Sequence, residues 1–89
     1  RYLWRPLLPL IINALDKGGV LIYETFMTGH ERLGKPSNPA FLLRKDELRF
    51  VVRGHLEIIA FEQGEQSTPA PAVLQRICAV RLGPLRLPE

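Results

Sequence analysis

The segment Val20–Phe26, VLIYETF, constrains the fold more than any other part of the chain. It is β-branched and aromatic with little polar alternation before Glu24, a pattern typical of a strand buried on both faces of a parallel sheet. Residues 6–16 before it are apolar at most positions, and Gly18 or Gly19 supplies a left-handed residue that ends a helix. A helix that leads directly into such a strand predicts an α/β protein.

The remaining segments predict the order α-β-α-β-β. After the first strand comes a long loop without hydrophobic period, in which glycine and proline recur. A second amphipathic helix and two further apolar strands follow, and the two strands are joined by a turn rich in glycine and proline. The predicted bounds are 27–40 for the loop, 43–53 for the helix, 56–62 and 72–82 for the strands and 63–71 for the turn.

The length of 89 residues predicts a single domain spanning 1–89, with residues 83–89 as a tail. Its net charge of +3 is mild and its basic residues are scattered, so we predict no nucleic-acid partner. No apolar run approaches the ~20 residues that cross a bilayer, so we predict no membrane partner. The single cysteine, Cys78, excludes an internal disulfide and favours a cytoplasmic location.

Several segments of the amino-acid sequence are similar to those of a known family. The runs LDKGGVLIYETF, GHERLGKPSNPAFLLRKDEL, LEIIAFEQGE and PAVLQRICAVR resemble the carboxyl-terminal half of small bacterial S-adenosylmethionine-dependent methyltransferases of the tellurite-resistance type. The resemblance covers residues 1–82 and is most specific over 18–48. It implies the end of a Rossmann-like fold, with a mixed three-stranded sheet in the order 5-7-6 and the last strand antiparallel. Lys17 and the pair Lys45-Asp46 depart from it, because relatives often carry proline or a Pro-Gly pair at these positions.

The resemblance implies a methyltransferase that, when complete, moves a methyl group from S-adenosylmethionine to a small-molecule acceptor. The chain opens with Arg1 and has its only methionine at Met27, so we expect a fragment. The glycine-rich turn that holds the cofactor is not found here, because GHERLG has the wrong spacing and follows the fifth strand. We therefore expect S-adenosylmethionine to bind the complete parent only, and this fragment to be inactive by itself.

Seven residues are predicted to line the substrate side, while the catalytic residues stay unassigned. Open α/β sheets bind ligands at the carboxyl ends of their strands, where most of these residues fall. Aromatic rings would form a wall, arginines would clamp an anion, and a histidine would move protons. Each group of residues also has a non-functional interpretation. Those before the first helix would belong to a frayed terminus, those of the first strand would face water at the rim, and those of the loop would simply be solvated. The residues are Tyr2, Trp4, Arg5, Tyr23, Glu24, His30 and Arg32.

Two further patterns are weaker evidence for a functional site. His30, His55 and Cys78 lie on three different elements without ligand spacing, so no metal site is predicted. Lys45, Arg49 and Arg53 repeat every four residues on one helical face. Such a stripe is typical of a solvated face, with nucleic-acid binding as the alternative.

A second function, from another class, is a non-enzymatic interaction module. In the complete fold that the resemblance implies, strand four flanks Val20–Phe26. In this chain we expect that edge to be open, apolar and flat, which invites pairing with another chain. The sequence therefore also allows a homodimer that forms through this strand edge.

Overall fold

The computed structural model describes residues 3–83 as a small α/β protein. Tyr2, predicted to line the substrate side, and most of the predicted tail lie outside these residues. Two short 3-10 turns, His30–Arg32 and Pro39–Phe41, interrupt the long loop. The main elements are α1 (Leu7–Ala14), β1 (Val20–Phe26), α2 (Glu47–Val52), β2 (Glu57–Gln66) and β3 (Ala72–Val80).

The three strands form one sheet in the order β1-β3-β2. The last strand thus lies between the other two, as the predicted order 5-7-6 requires. β3 pairs antiparallel with both neighbours, and Cys78 lies between Ile22 of β1 and Ala60 of β2. The predicted mixed sheet is wrong in this respect, because β1 and β2 run in the same direction without touching. Parallel pairing in the described part occurs only as a bridge between Met27 and Leu43.

The core lies on one face of the sheet. Successive residues of a strand point to opposite faces, so the odd-numbered positions of β1 and β3 share one side. The apolar residues at these positions and the apolar sides of both helices belong to one buried cluster. Its main members are Leu8, Ile12, Leu21, Leu48, Val52, Val73, Ile77 and Ala79. Helix α1 contacts this cluster through residues spaced four apart. No helix among residues 3–83 is long or apolar enough to span a bilayer.

Strand β1 departs from the prediction that it is buried on both faces. Leu21 and Thr25 are buried against the helices, but Ile22 is 78% exposed and Val20 is 48% exposed on the opposite face. A continuous apolar run predicts burial on both sides only when another layer covers the second side. In the described part, neither α1 nor α2 covers the side that carries Ile22.

Helix α2 is shorter than the predicted 43–53. The backbone of Leu43 is extended, because its N–H donates to the carbonyl of Phe26 and its carbonyl accepts from Thr28 N–H. Asp46 then takes a left-handed conformation with φ of 62°, and the helix begins at Glu47. A left-handed backbone conformation costs free energy for most residues, but the cost is smaller for aspartate and absent for glycine. Either residue therefore suits this position.

Strand β2 is longer than predicted. Residues 63–66, expected in the turn, pair with β3, so that Gln63 lies opposite Gln75 and Gln66 opposite Ala72. Gly64 weakens strand propensity at this point, but it fits here with a φ of 139°, opposite Leu74. The connection is reduced to residues 67–71.

Gln75, a fully buried polar residue of β3, holds the start of α2 against the sheet. Its Oε1 accepts from the backbone N–H of Leu48 at 2.7 Å, which satisfies one of the free donors at a helix start. Its Nε2 donates to the carbonyl of Arg44 at 2.9 Å and to Oε1 of Gln63 at 3.1 Å. Each group is satisfied inside the core, so the amide is a specific anchor between layers.

We expect Gln75→Met to lower the free energy of unfolding by about 1–3 kcal/mol, because it keeps the volume but leaves the buried backbone N–H of Leu48 without a partner. Urea titration followed by circular dichroism measures the loss. Gln66→Met, at the other end of the β2 pairing, is the control and should cost less than about 0.5 kcal/mol. Equal stability of Gln75→Met and the wild type would contradict the anchoring role.

Candidate functional site

The carboxyl ends of β1 and β2 lie at the same end of the sheet, because both strands are antiparallel to β3. The long loop after β1 covers this end. Arg32 of the loop lies 3.9 Å from the carboxylate of Glu65 near the end of β2, which brings loop and strand together at the surface. This end is therefore the place where the predicted loop residues and the sheet meet.

His30 is buried in this loop and both of its ring nitrogens have partners. Nδ1 accepts from the backbone N–H of Val73 at 3.2 Å, and Nε2 lies 3.1 Å from the carbonyl of Lys35. Since an N–H only donates and a carbonyl only accepts, the ring is the neutral tautomer with its proton on Nε2. The ring also lies 4.1 Å from that of Phe26, between centroids. His30 fastens the loop to β3, and its predicted substrate role stays a prediction.

Gly29 gives the loop its shape next to His30. Its φ of 110° is left-handed, and a Cβ here would lie 3.3 Å from Nη2 of Arg32 and 3.5 Å from Cγ1 of Val73. The backbone N–H of Gly29 donates to the carboxylate of Glu31 at 2.8 Å, and this bond lowers the pKa of Glu31. The carbonyl of Gly29 accepts from Nε of Arg32. The guanidinium of Arg32 remains largely exposed to solvent.

Arg5 joins the start of α1 to the segment that leads into α2. Its Nε and Nη2 donate to the two carboxylate oxygens of Glu47 at 2.7 and 3.0 Å, a bidentate pair. Nη1 donates to the carbonyl of Ala40 at 2.9 Å and Nη2 also to that of Leu42 at 2.7 Å. The guanidinium thus contacts four acceptors of the chain itself, and its predicted role as an anion clamp stays a prediction.

Opposing effects act on the pKa of Glu47. Burial would raise the pKa of its carboxyl, but hydrogen bonds from Arg5 and from the backbone N–H of Arg44, with the charges of both arginines, outweigh burial and lower the pKa. The hydrogen bond to Glu47 in turn raises the pKa of Arg5, against the effect of burial. Both groups therefore stay ionised around neutral pH, and the pair is a fixed part of the fold.

Trp4, Tyr23 and Glu24 do not converge on one pocket. Trp4 is 53% exposed before α1. Tyr23 packs against the core on the helix-covered face, and burial raises its pKa. Glu24, its neighbour on β1, points to the opposite face, where its carboxylate lies 3.0 Å from Nη2 of Arg76. These two candidate residues therefore lie on opposite faces of the sheet.

The face of the sheet opposite the helices carries a charged row that the sequence reasoning missed. Glu24, Arg76 and Glu62 lie side by side on the three strands, and Arg76 is 3.8 Å from Glu62 as well. Opposite charges at directly paired positions are the signal that would reveal this row once the strand register is known. Ile22, Ala60 and Cys78 form the next row, and together the two rows line a shallow depression of about 280 Å³.

A metal centre requires several ligating side chains that converge on one point. No group of His, Cys, Asp and Glu among residues 3–83 is arranged to hold a metal ion. Cys78 is a half-buried free thiol in the middle strand. The ring of His30 has backbone partners at both nitrogens.

Comparison of the chain with family models, curated proteins and solved structures finds no match. The resemblance to methyltransferases therefore stays a prediction, and the Rossmann-like parent fold stays a prediction with it.

We expect Arg5→Lys to destabilise the protein by about 1 kcal/mol, because an ammonium cannot reproduce the bidentate pair with Glu47 together with both carbonyl contacts. Thermal unfolding at constant pH measures the change. Arg53→Lys, at an exposed position after α2, is the matched control and should change stability by less than about 0.5 kcal/mol. Equal effects of the two substitutions would contradict the structural role of Arg5.

The lowered pKa of Glu47 predicts a pH dependence. A carboxyl whose pKa is lower in the folded than in the unfolded state stabilises the fold above its unfolded pKa, and this contribution is lost as the pH falls through the folded pKa. The stability difference between wild type and Glu47→Gln should therefore be largest above pH about 5 and shrink in acid. Denaturant titrations across that range measure it, with Glu57→Gln as an exposed control. A constant difference would show that Glu47 gains nothing from ionisation.

Proposed function

We propose that the chain is the carboxyl-terminal part of a methyltransferase of the tellurite-resistance type that uses S-adenosylmethionine. The complete enzyme would transfer a methyl group to a small-molecule acceptor in the cytoplasm, and the 89 residues by themselves would be inactive. The observation that supports this proposal is the sheet order β1-β3-β2.

This order is informative because a simple meander would place β2 in the middle. Instead β1 and β2 run in the same direction and are connected through α2, which is the arrangement of a β-α-β crossover. The crossover leaves a gap one strand wide, and the last strand enters it from the opposite direction. The methyltransferases that the sequence resembles end in this way, so the topology supports the same parent fold.

The loop after β1 would form part of the substrate wall. Trp4 and the guanidinium of Arg32 are exposed and offer a hydrophobic ring and a cation to an acceptor molecule. Arg5 and His30 would position this wall, because their hydrogen bonds hold the loop against α2 and β3. Methyl transfer depends chiefly on alignment of donor and acceptor, so a rigid wall is a useful contribution.

The described residues do not fit S-adenosylmethionine. A nucleotide cofactor is held by a glycine-rich turn whose backbone N–H groups are free at a helix start. The turn after β1 instead opens a 3-10 helix of three residues, and the N–H of Gly29 is already bound to Glu31. The cofactor would therefore be held by other parts of the parent protein.

Two measurements test the proposal. Reading the coding sequence upstream of the codon for Arg1 should reveal a glycine-rich turn behind a strand, within about 100 residues. Calorimetry of the 89-residue chain with S-adenosylhomocysteine should give no heat of binding at micromolar concentrations. An upstream region without that turn would contradict the methyltransferase assignment. Micromolar binding by the chain alone would instead contradict its inactivity.

A further inference from the structure

His30 takes part in the backbone ladder between β1 and β3 at the point where the two strands separate. Met27 and Val73 follow the last pair of this ladder, Phe26 and Leu74. Met27 N–H donates to the carbonyl of Val73 at 3.0 Å, but the reciprocal bond of an antiparallel pair is replaced. The carbonyl of Met27 accepts from His30 N–H at 3.1 Å, and Val73 N–H donates to Nδ1 of the ring at 3.2 Å. The side chain of His30 therefore completes the ladder where β1 ends.

This contact requires a neutral ring. Because Nδ1 accepts from Val73 and Nε2 faces the carbonyl of Lys35, the single ring proton lies on Nε2. In the imidazolium form both nitrogens carry protons, so Nδ1–H would face the N–H of Val73. Two donors cannot form a hydrogen bond, and His30 is only 5% exposed, so water has little access to either group. Protonation therefore breaks the contact with β3.

The charged side chains around His30 already have partners or balance each other. The carboxylate of Glu31 accepts from the N–H of Gly29, which is the main cause of its lowered pKa, whereas the charge of His30 is the smallest cause. The carboxylate of Glu65, opposite Val73 on β2, lies 3.9 Å from Arg32. The charged residues of the loop, β1 and β3, together with Glu65, comprise three anions and three cations: Glu24, Glu31, Glu65, Arg32, Lys35 and Arg76. Glu24 pairs with Arg76 at 3.0 Å.

We propose that His30 is a pH-sensitive latch, whose neutral ring holds the turn His30–Arg32 on β3 and whose protonation releases it. Histidine ordinarily changes charge between about pH 5 and 8. The attached turn binds one proton fewer than the released turn, so attachment is favoured above this range and lost as the pH falls through it. The exposed Arg32 is thus presented on an ordered turn only in the neutral form. The proposal rests on contacts within the fold and does not depend on methyl transfer.

Amide hydrogen exchange, followed by NMR and expressed as protection factors, tests the latch. The protection of Val73 N–H should fall at least about tenfold from about pH 8 to about pH 5, because the neutral ring becomes the minor form. Arg81 N–H is the internal control, since it donates to the carbonyl of Gly19 at the other end of the β1–β3 ladder. Its protection should stay constant over this range.

Two matched variants separate the ring of His30 from other titrating groups. His30→Asn places an amide oxygen near the position of Nδ1 that accepts from Val73 N–H and does not titrate. The protection of Val73 should therefore become independent of pH in this variant. His55→Asn is the control, because His55 is exposed after α2, and it should keep the fall seen in the wild type.

Three outcomes of the exchange experiment would overturn the proposal: constant protection of Val73 in the wild type, an equal fall at Val73 and Arg81, or an unchanged fall in His30→Asn. The ring itself gives a second measurement that needs no variant. Nitrogen chemical shifts of the wild-type ring at about pH 8 should show the proton on Nε2 of His30. A proton on Nδ1 would refute the acceptor role on which the latch depends.

Discussion

The backbone pairing of β3 on both of its sides is the interaction on which the rest of the structure depends. β1 and β2 do not touch, so each belongs to the sheet only through the middle strand. The side chains of β3 extend this role. Gln75 binds the start of α2, Ile77 lies in the core, and the backbone of Val73 binds His30 in the long loop. Because one strand satisfies partners on two edges and one face, the helices and the loop are fixed by the same element.

The elements were predictable where the sequence pattern depends on local chemistry. The bounds of β1 are those predicted, because a β-branched run after Gly18 has few other solutions. The order of the strands in the sheet could not be predicted in this way, because hydrophobic periodicity does not indicate which strands are neighbours. It came from the resemblance alone. The exposure of Ile22 could not be predicted either, because an apolar run looks the same whether one or both faces of the strand are covered.

The candidate site shows a related limit. Arg5 and His30 were chosen for the chemistry of their side chains. In the structure both contact backbone carbonyl or N–H groups, and Arg5 also binds the carboxylate of Glu47. Backbone partners have no signature in the sequence, because every residue carries them. The row formed by Glu24, Arg76 and Glu62 was hidden for another reason: these charges are far apart in the chain and become neighbours only once the register is known.

Residues that the fold needs can be distinguished from residues that are available for function in the described part of the chain. Two of its buried polar residues, Gln75 and His30, have partners within the fold, so their removal would act on stability. The features that the fold itself does not require lie outward, in the exposed Ile22 at the β1 edge and the exposed Arg32 on the loop. An apolar side chain in water gains nothing from exposure, whereas an exposed arginine costs little. In the proposed methyltransferase, the loop that carries Arg32 is the place where specificity for a small molecule would vary.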